Sequence, residues 1–402
     1  MKQERGAVIN TLHTAREDLD SVVALTSELV RVPSRGGIDP YDPVLDCVGS
    51  WLGERGLTCQ RLTGPGRATV ALVCEITGQP GPRYVLDACL DTAAFGDEAA
   101  WKHSPTSGLI DSGWLHGRGA SDSKAAVAIF AHIGAHLREN TDRLHGSVVL
   151  LFDVDEHTGV FGGAKAYFEG PGAPEHVDGV MIGYPGLDHL VIGGRGVLRA
   201  RAHVHGVASH SGGSRPTPSA ISKATELVQA LNELPLPHAA GEAFPLPAKL
   251  TVTAINGGEG FSTVPDLCSM NIDVRLTPAL DDATAANLLR SRVAEVDQRW
   301  KNTQPTQLEI TTRWPAFALP DTSPMAAALI GAAREVGLAT KPKIAGPSNI
   351  GNYLAGLGIP ATAGFGVEYE GLHATDERIR IESMPVVQAV YHQALLELLR
   401  PA

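Results

Sequence analysis

Acids, imidazoles and one thiol sit at the ends of apolar runs in this chain, and those positions are where chemistry is to be sought. The run Tyr84-Val85-Leu86 continues through Asp87, Ala88, Cys89 and Leu90 to Asp91 and reads as a core strand ending in acid. Side chains alternate along a strand, so Cys89 and Asp91 project from the same face of its end. Further on, Gly117-Arg118-Gly119-Ala120-Ser121-Asp122-Ser123-Lys124 opens directly into the apolar stretch 125–130. Two glycines allow a tight turn there, and Ser121 or Asp122 is expected to cap the helix that follows. A thiol and two carboxylates thus reach one strand-end crevice, the place where open α/β sheets bind ligands. Ser147–Asp153 is a second apolar strand, and it runs into Val154-Asp155-Glu156-His157. A carboxylate just beyond so apolar a strand is costly to ionise, which raises its pKa toward the range a general base needs.

The elements that must carry these residues alternate. Helices are predicted over 14–30, 43–55 and 122–137, with a small-residue helix from Gly162. Strands are predicted over 68–76, 84–91, 147–153 and 180–182. Strand–helix alternation with acids at strand ends predicts a three-layer α/β domain. The character changes after Arg195-Gly196. Strand 197–207, helix 218–234, strands 249–255 and 270–276, helix 283–300 and strand 307–312 follow in the order βαββαβ, a ferredoxin-like arrangement. Helix 324–336, strand 361–367 and helix 384–399 then resume the first pattern. The expected organisation is a catalytic domain over 1–195 and 314–402 with an inserted domain over 196–313.

Composition narrows the function. A chain of 402 residues is expected to form more than one domain, and 43% hydrophobic content fits a globular protein. A net charge of -11 argues against a nucleic-acid backbone or an anionic membrane as partner. The start, Met1-Lys2-Gln3-Glu4-Arg5, lacks the apolar core of a signal peptide, and no run is long enough to span a bilayer. Cys47, Cys59, Cys74, Cys89 and Cys268 are odd in number and lack CxxC spacing, so no disulfide framework and no zinc ribbon is indicated. The cytoplasm is the expected compartment.

The ordered set Gly117-Arg118-Gly119-Ala120-x-Asp122-x-Lys124, Asp155-Glu156, Gly206 to Ser211, Asp273-x-Arg275 and Leu372-His373 carries a resemblance. Around an inserted ferredoxin-like domain, it resembles the zinc-dependent aminoacylase, carboxypeptidase G and succinyl-diaminopimelate desuccinylase family over nearly the whole chain. The resemblance implies a catalytic domain for two bridged zinc ions and an inserted domain that acts as lid and dimer interface. It also implies Asp122 as bridging ligand, Glu156 as general base, Asp91 as the carboxylate that orients the metal site, and His373 as the C-terminal ligand. His210 would reach the partner's active site and steady the oxyanion. Arg275 would grip a substrate carboxylate, and Asn256 matches a second substrate-binding position.

Three ligand positions depart from the family pattern. Cys89 stands where a His is usual, His157 where a Glu is usual, and Tyr184 where an Asp or Glu is usual. The ligand set becomes Asp122, His157 and His373, an acceptable three-ligand zinc site with room for water. The other set would be Cys89, Asp122 and Tyr184, and a neutral phenol with pKa near ~10 is a poor ligand. One zinc per chain is therefore expected. Cys89 has two open readings, ligand and small buried hydrophobe, and Tyr184 is read as a wall or hydrogen-bonding group toward substrate. The reaction implied is metal-dependent hydrolysis of an amide in an N-acyl amino acid or small peptide by a homodimer paired through the inserted domain. The rivals are metal-free condensation, transfer or cyclisation on the same scaffold, and non-catalytic binding of a carboxylate.

Overall fold

The computed structural model describes residues 11–238, 241 and 244–401, so the opening Met1–Arg5 lies outside the described residues. The chain divides into two compact units, one of residues up to Ile192 with Leu319–Lys343 and Gly358 onward, the other of Gly193–Ala318 with Ile344–Leu357.

The first unit is built on a six-stranded mixed sheet. Its strands are β1 (Cys59–Thr63), β2 (Thr69–Thr77), β3 (Gln79–Cys89), β4 (His145–Asp153), β5 (Gly179–Ile182) and the short Ala361–Thr362, in the spatial order β1-β2-β4-β3-β5-Ala361–Thr362. The pairings β3–β4 and β3–β5 are parallel, which places the C-terminal ends of those strands side by side. Both strands are buried along their final residues, and the continuous apolar runs 84–86 in β3 and 148–152 in β4 are what a two-sided burial demands. Helices Leu19–Arg31, Ala125–Arg138, Pro324–Glu335 and Met384–Leu398 contribute to the same hydrophobic core.

The second unit is a four-stranded antiparallel sheet of β6 (Gly196–His205), β7 (Lys249–Gly257), β8 (Leu267–Leu276) and β9 (Gln307–Trp314), ordered β7-β8-β6-β9. Helices Ala220–Asn232 and Asp282–Arg299 pack their apolar stripes against it. Chain order and strand order together are those of a ferredoxin-like fold.

Four expectations need correction. Asp122 does not cap a helix: Ala120–Lys124 forms an irregular turn with non-helical backbone at Asp122 and Ser123, and regular helix begins at Ala125. The strand expected over 361–367 shrinks to Ala361–Thr362. Gly364 has φ +148°, and a Cβ on Gly366 would lie 2.4 Å from the Tyr184 carbonyl oxygen. Ile344–Leu357 belongs with the second unit, where Asn352 Nδ2 donates to the carbonyls of Arg195 (3.1 Å) and Pro315 (2.8 Å). Cys59 and Cys74 form a disulfide: they face each other across β1 and β2 with Cα atoms 4.3 Å apart, a pairing no sequence spacing announces.

Candidate active site

The parallel register of β3 and β4 sets Cys89 opposite Asp153, and the two strands deliver Asp91 and Glu156-His157 just beyond their ends. Asp91 is fully buried. Its Oδ1 accepts the Glu156 amide at 3.1 Å and its Oδ2 accepts the His157 amide at 2.9 Å, so one carboxylate fixes the backbone of both residues. Gly36 passes close above, where an added Cβ would sit 3.1 Å from Asp91 Oδ2 and 3.2 Å from His157 Cβ. A side chain at Gly36 would push the acid and the imidazole apart.

Asp122 arrives from the irregular turn. Buried Lys124 anchors that turn, donating from Nζ to the carbonyls of Leu29 (2.8 Å) and Val32 (2.9 Å) at the end of helix Leu19–Arg31. Asp122 Oδ2 lies 3.0 Å from His373 Nε2 and 3.5 Å from His157 Nε2. Its Oδ1 accepts the Ser123 hydroxyl at 3.0 Å and lies 3.9 Å from Cys89 Sγ. The rings of His157 and His373 approach to 5.3 Å between centroids. Cys89, Asp91, Asp122, Glu156, His157 and His373 thus gather within the first unit.

Burial governs the electrostatics. It pushes the Glu156 carboxyl up to about 7, with the Asp122 and Asp91 charges adding and His157 opposing. Burial works against protonating His157, but the Asp122 and Asp91 carboxylates, each with an oxygen 3.5 Å from a ring nitrogen, outweigh it and raise its pKa to about 11. Asp122 is driven the other way: burial alone would raise it, and the two imidazoles hold it well below the usual carboxylate range. The buried Cys89 thiol is pushed well up by burial and by Glu156, so the metal-free site holds it as a thiol. Tyr184, opposite Phe365 in an isolated bridge, is raised strongly by burial and stays a neutral phenol.

Two acids that sequence reasoning passed over complete the picture. Asp87, on the Cys89 face of β3, and Asp153, opposite Cys89, are buried and their carboxylate oxygens have no hydrogen-bond partner among the described residues. Burial holds both far above the ordinary carboxylate pKa. Their apolar-strand setting was visible in the sequence; their lack of partners was not.

The donor set fits a divalent metal. One atom each from Asp122, His157 and His373 lie within 4.8 Å of one another, as do atoms from Cys89, Asp91 and His157. His157 Nδ1 is buried without a hydrogen bond among the described residues, and acids outnumber the imidazoles around it. The first set, a carboxylate with two imidazoles, suits zinc. The second shares His157 and uses an Asp91 whose two oxygens already accept backbone amides.

The remaining predicted residues lie in the second unit. Arg275, at the end of β8, donates from Nε (2.8 Å) and Nη2 (3.3 Å) to Asp273 and from Nη1 to Ser348 Oγ (3.3 Å). Asn256 is exposed on β7 opposite Ser269, whereas Arg275 is opposite Lys249. At about 3.3 Å per residue, the two are roughly 20 Å apart along the sheet. His210 is exposed on a short strand paired with Thr263–Val264, and its Nδ1 accepts the Gly212 amide at 3.0 Å. The structure does not bring Arg275 and Asn256 together.

The model of Peptidase family M20/M25/M40 matches residues 86–397, and the chain belongs to that family. It is an enzyme of the hydrolase class, and its relatives point to amide-bond hydrolysis. Among curated relatives, succinyl-diaminopimelate desuccinylase of Rhodospirillum centenum is 27% identical over 384 residues, covering 93% of this chain and 96% of the relative. The enzyme of the same name from Methylobacterium nodulans is 31% identical over 284 residues, 68% of this chain and 70% of the relative. Among solved structures, aminopeptidase PepT of Bacillus cereus superposes with a TM-score of 0.75 at 19% identity, covering 94% and 98% of the two chains. An M20-family metallo-carboxypeptidase of Sulfolobus solfataricus gives the same TM-score at 17% identity, again over 94% and 98%. Both share the fold. No helix among the described residues is long and apolar enough to cross a membrane.

Proposed function

We propose that this enzyme hydrolyses the amide bond of a small N-acyl amino acid or peptide bearing a carboxylate, with Glu156 as general base and one zinc ion per chain. The observation that carries the reading is the placement of Glu156, with a pKa near 7, beside an acid-rich cluster whose Asp122, His157 and His373 converge. Asp122, His157 and His373 would hold the ion; when bound, zinc polarises a carbonyl and acidifies water. Asp91 keeps the Glu156 and His157 backbone fixed. Glu156 takes a proton from the attacking water and delivers it to the leaving nitrogen, a transfer favoured when the base titrates near the working pH. Tyr184 forms part of the wall. Cys89, a neutral thiol in the metal-free site, would join only if its proton were released to a base or to solvent as the metal bound.

Recognition is assigned to the second unit. Arg275 uses three donor nitrogens on Asp273 and Ser348, which leaves two of its five N–H groups for a substrate carboxylate. Because Asn256 lies at the far end of the sheet from Arg275, the two do not serve one small substrate in the same chain. We place His210 and Asn256 in service of a second copy, joined through β7. That strand is an edge of its sheet, and Ile221, Ile255, Phe261 and Leu267 are exposed apolar residues of the same unit. The named relatives make N-succinyl amino acids the first substrates to try, and the cytoplasm is the compartment proposed with them.

The test is metal analysis of protein purified without chelator, followed by a screen of N-succinyl and N-acyl amino acids and dipeptides with and without metal removal. Hydrolysis lost on chelation and restored by about one equivalent of zinc is expected. Turnover that survives exhaustive chelation would replace this reading with the metal-free one.

A further inference from the structure

We propose that Arg118 and Glu377 are positioning residues that lock the His373 loop onto the Asp122 turn and so set the affinity of the metal site; the proposal rests on the metal reading above. His373 needs such help. Its side chain is 50% exposed and its backbone is left-handed (φ 58°). Its ring contacts are with the site itself, Asp122 Oδ2 at 3.0 Å and the His157 ring. Where its imidazole stands is therefore decided by its loop.

That loop is tied to the other ligand turn by one buried carboxylate. Glu377 Oε1 accepts from the Ser121 amide (3.0 Å) and the Ser121 hydroxyl (2.7 Å), one residue before Asp122. Its Oε2 accepts from Arg118 Nη1 at 2.7 Å, and Arg118 Nη2 donates to the Ala374 carbonyl at 3.0 Å, one residue after His373. The Gly117 amide donates to the Glu377 carbonyl at 2.9 Å. Arg118 is 3% exposed and Glu377 1%, so water does not compete for these bonds. Asp122 and His373 are 251 residues apart in sequence. The clamp attaches within one residue of each. A buried ion pair is an expensive way to hold a surface loop. It is well suited to holding two ligands at a fixed separation, since groups that orient ligands typically govern metal affinity by about 10–100-fold.

Glu377→Gln keeps the shape and an acceptor toward Ser121 but presents an amide donor to Arg118. Zinc affinity of the metal-stripped, full-length protein is measured by competition with a chromophoric chelator, alongside its melting temperature. The expected result is zinc binding weaker by about tenfold or more, with the stripped protein folded. Because the clamp acts through His373, Glu377→Gln should cause no further loss in a His373→Ala background. Asp297→Asn is the control: it removes the charge facing the buried Lys223 of the second unit (2.7 Å) and should lower the melting temperature without moving zinc affinity. A folded Glu377→Gln protein with zinc affinity within about twofold of wild type, or a loss undiminished beside His373→Ala, overturns the proposal. Should Glu377→Gln not fold, Ser121→Ala removes only one of the bonds, and an unchanged affinity there overturns it equally. A wild-type protein that binds no zinc overturns the metal reading instead.

Discussion

In the first unit Asp87, Asp91, Asp122, Asp153 and Glu156 crowd around the ends of two buried parallel strands, and burial raises the proton affinities of Asp87, Asp153 and Glu156. In the second unit Arg199, Arg275 and Asp273 pair along a sheet where the arginines keep contact with water. The same residue types therefore behave differently. A carboxylate shut away beside like charges becomes a base near neutrality, whereas one between arginines only organises them. Chemistry is favoured where desolvation shifts proton affinity, and recognition where charge remains available to a ligand.

The largest expected effect tests the first half of that contrast. Glu156→Gln should lower kcat by about 10²–10⁴-fold with the fold retained, read by steady-state kinetics and circular dichroism; retained turnover would remove Glu156 from the reaction. Arg275→Met should chiefly raise KM, by about 10–100-fold as expected for loss of a charge-assisted contact, with kcat much less affected. A fall in kcat alone would break the division of labour between the units.

The pH dependence sharpens the contrast further. On the proposed mechanism the base must be ionised, so kcat/KM should rise as Glu156 loses its proton, at a pH that bound zinc draws below the value of about 7 held by the metal-free site. The sign for stability is opposite. With its pKa raised on folding, Glu156 keeps its proton in the folded state after the unfolded chain has lost it. Metal-free protein should therefore lose stability between its ordinary carboxyl range and about 7, by on the order of 3 kcal/mol. Melting temperatures of stripped wild type and Glu156→Gln across that window check this, the variant being the flatter of the two. The smallest test concerns the sheet edge: unreduced, denatured protein should titrate Cys47, Cys89 and Cys268 but not Cys59 and Cys74. Five reactive thiols would remove the bond between β1 and β2.

Much of the fold was legible because apolar periodicity is local. The strand ends at Asp91 and Glu156 and the βαββαβ order could be read from runs and their spacing. What escaped depended on contacts far apart in sequence. Glu377 is one acid in a polar loop until Ser121 and Arg118 are seen against it, and Asn352 gives no sign that it recruits Ile344–Leu357 to the second unit. The Asp122 turn was misread for a local reason. Ser and Asp before an apolar helix are a capping signal, but Asp122 and Ser123 depart from helical geometry and regular helix starts only at Ala125, beyond the Lys124 that is tied to helix Leu19–Arg31.

The pairing of Asp122 with His373 has a bearing on how the protein is made. A ribosome finishes the six-stranded sheet's principal strands, and with them the crevice, long before it reaches the histidine that closes it. Until then a growing chain lacks one of the three donors proposed for zinc, so competence for catalysis would come late in translation.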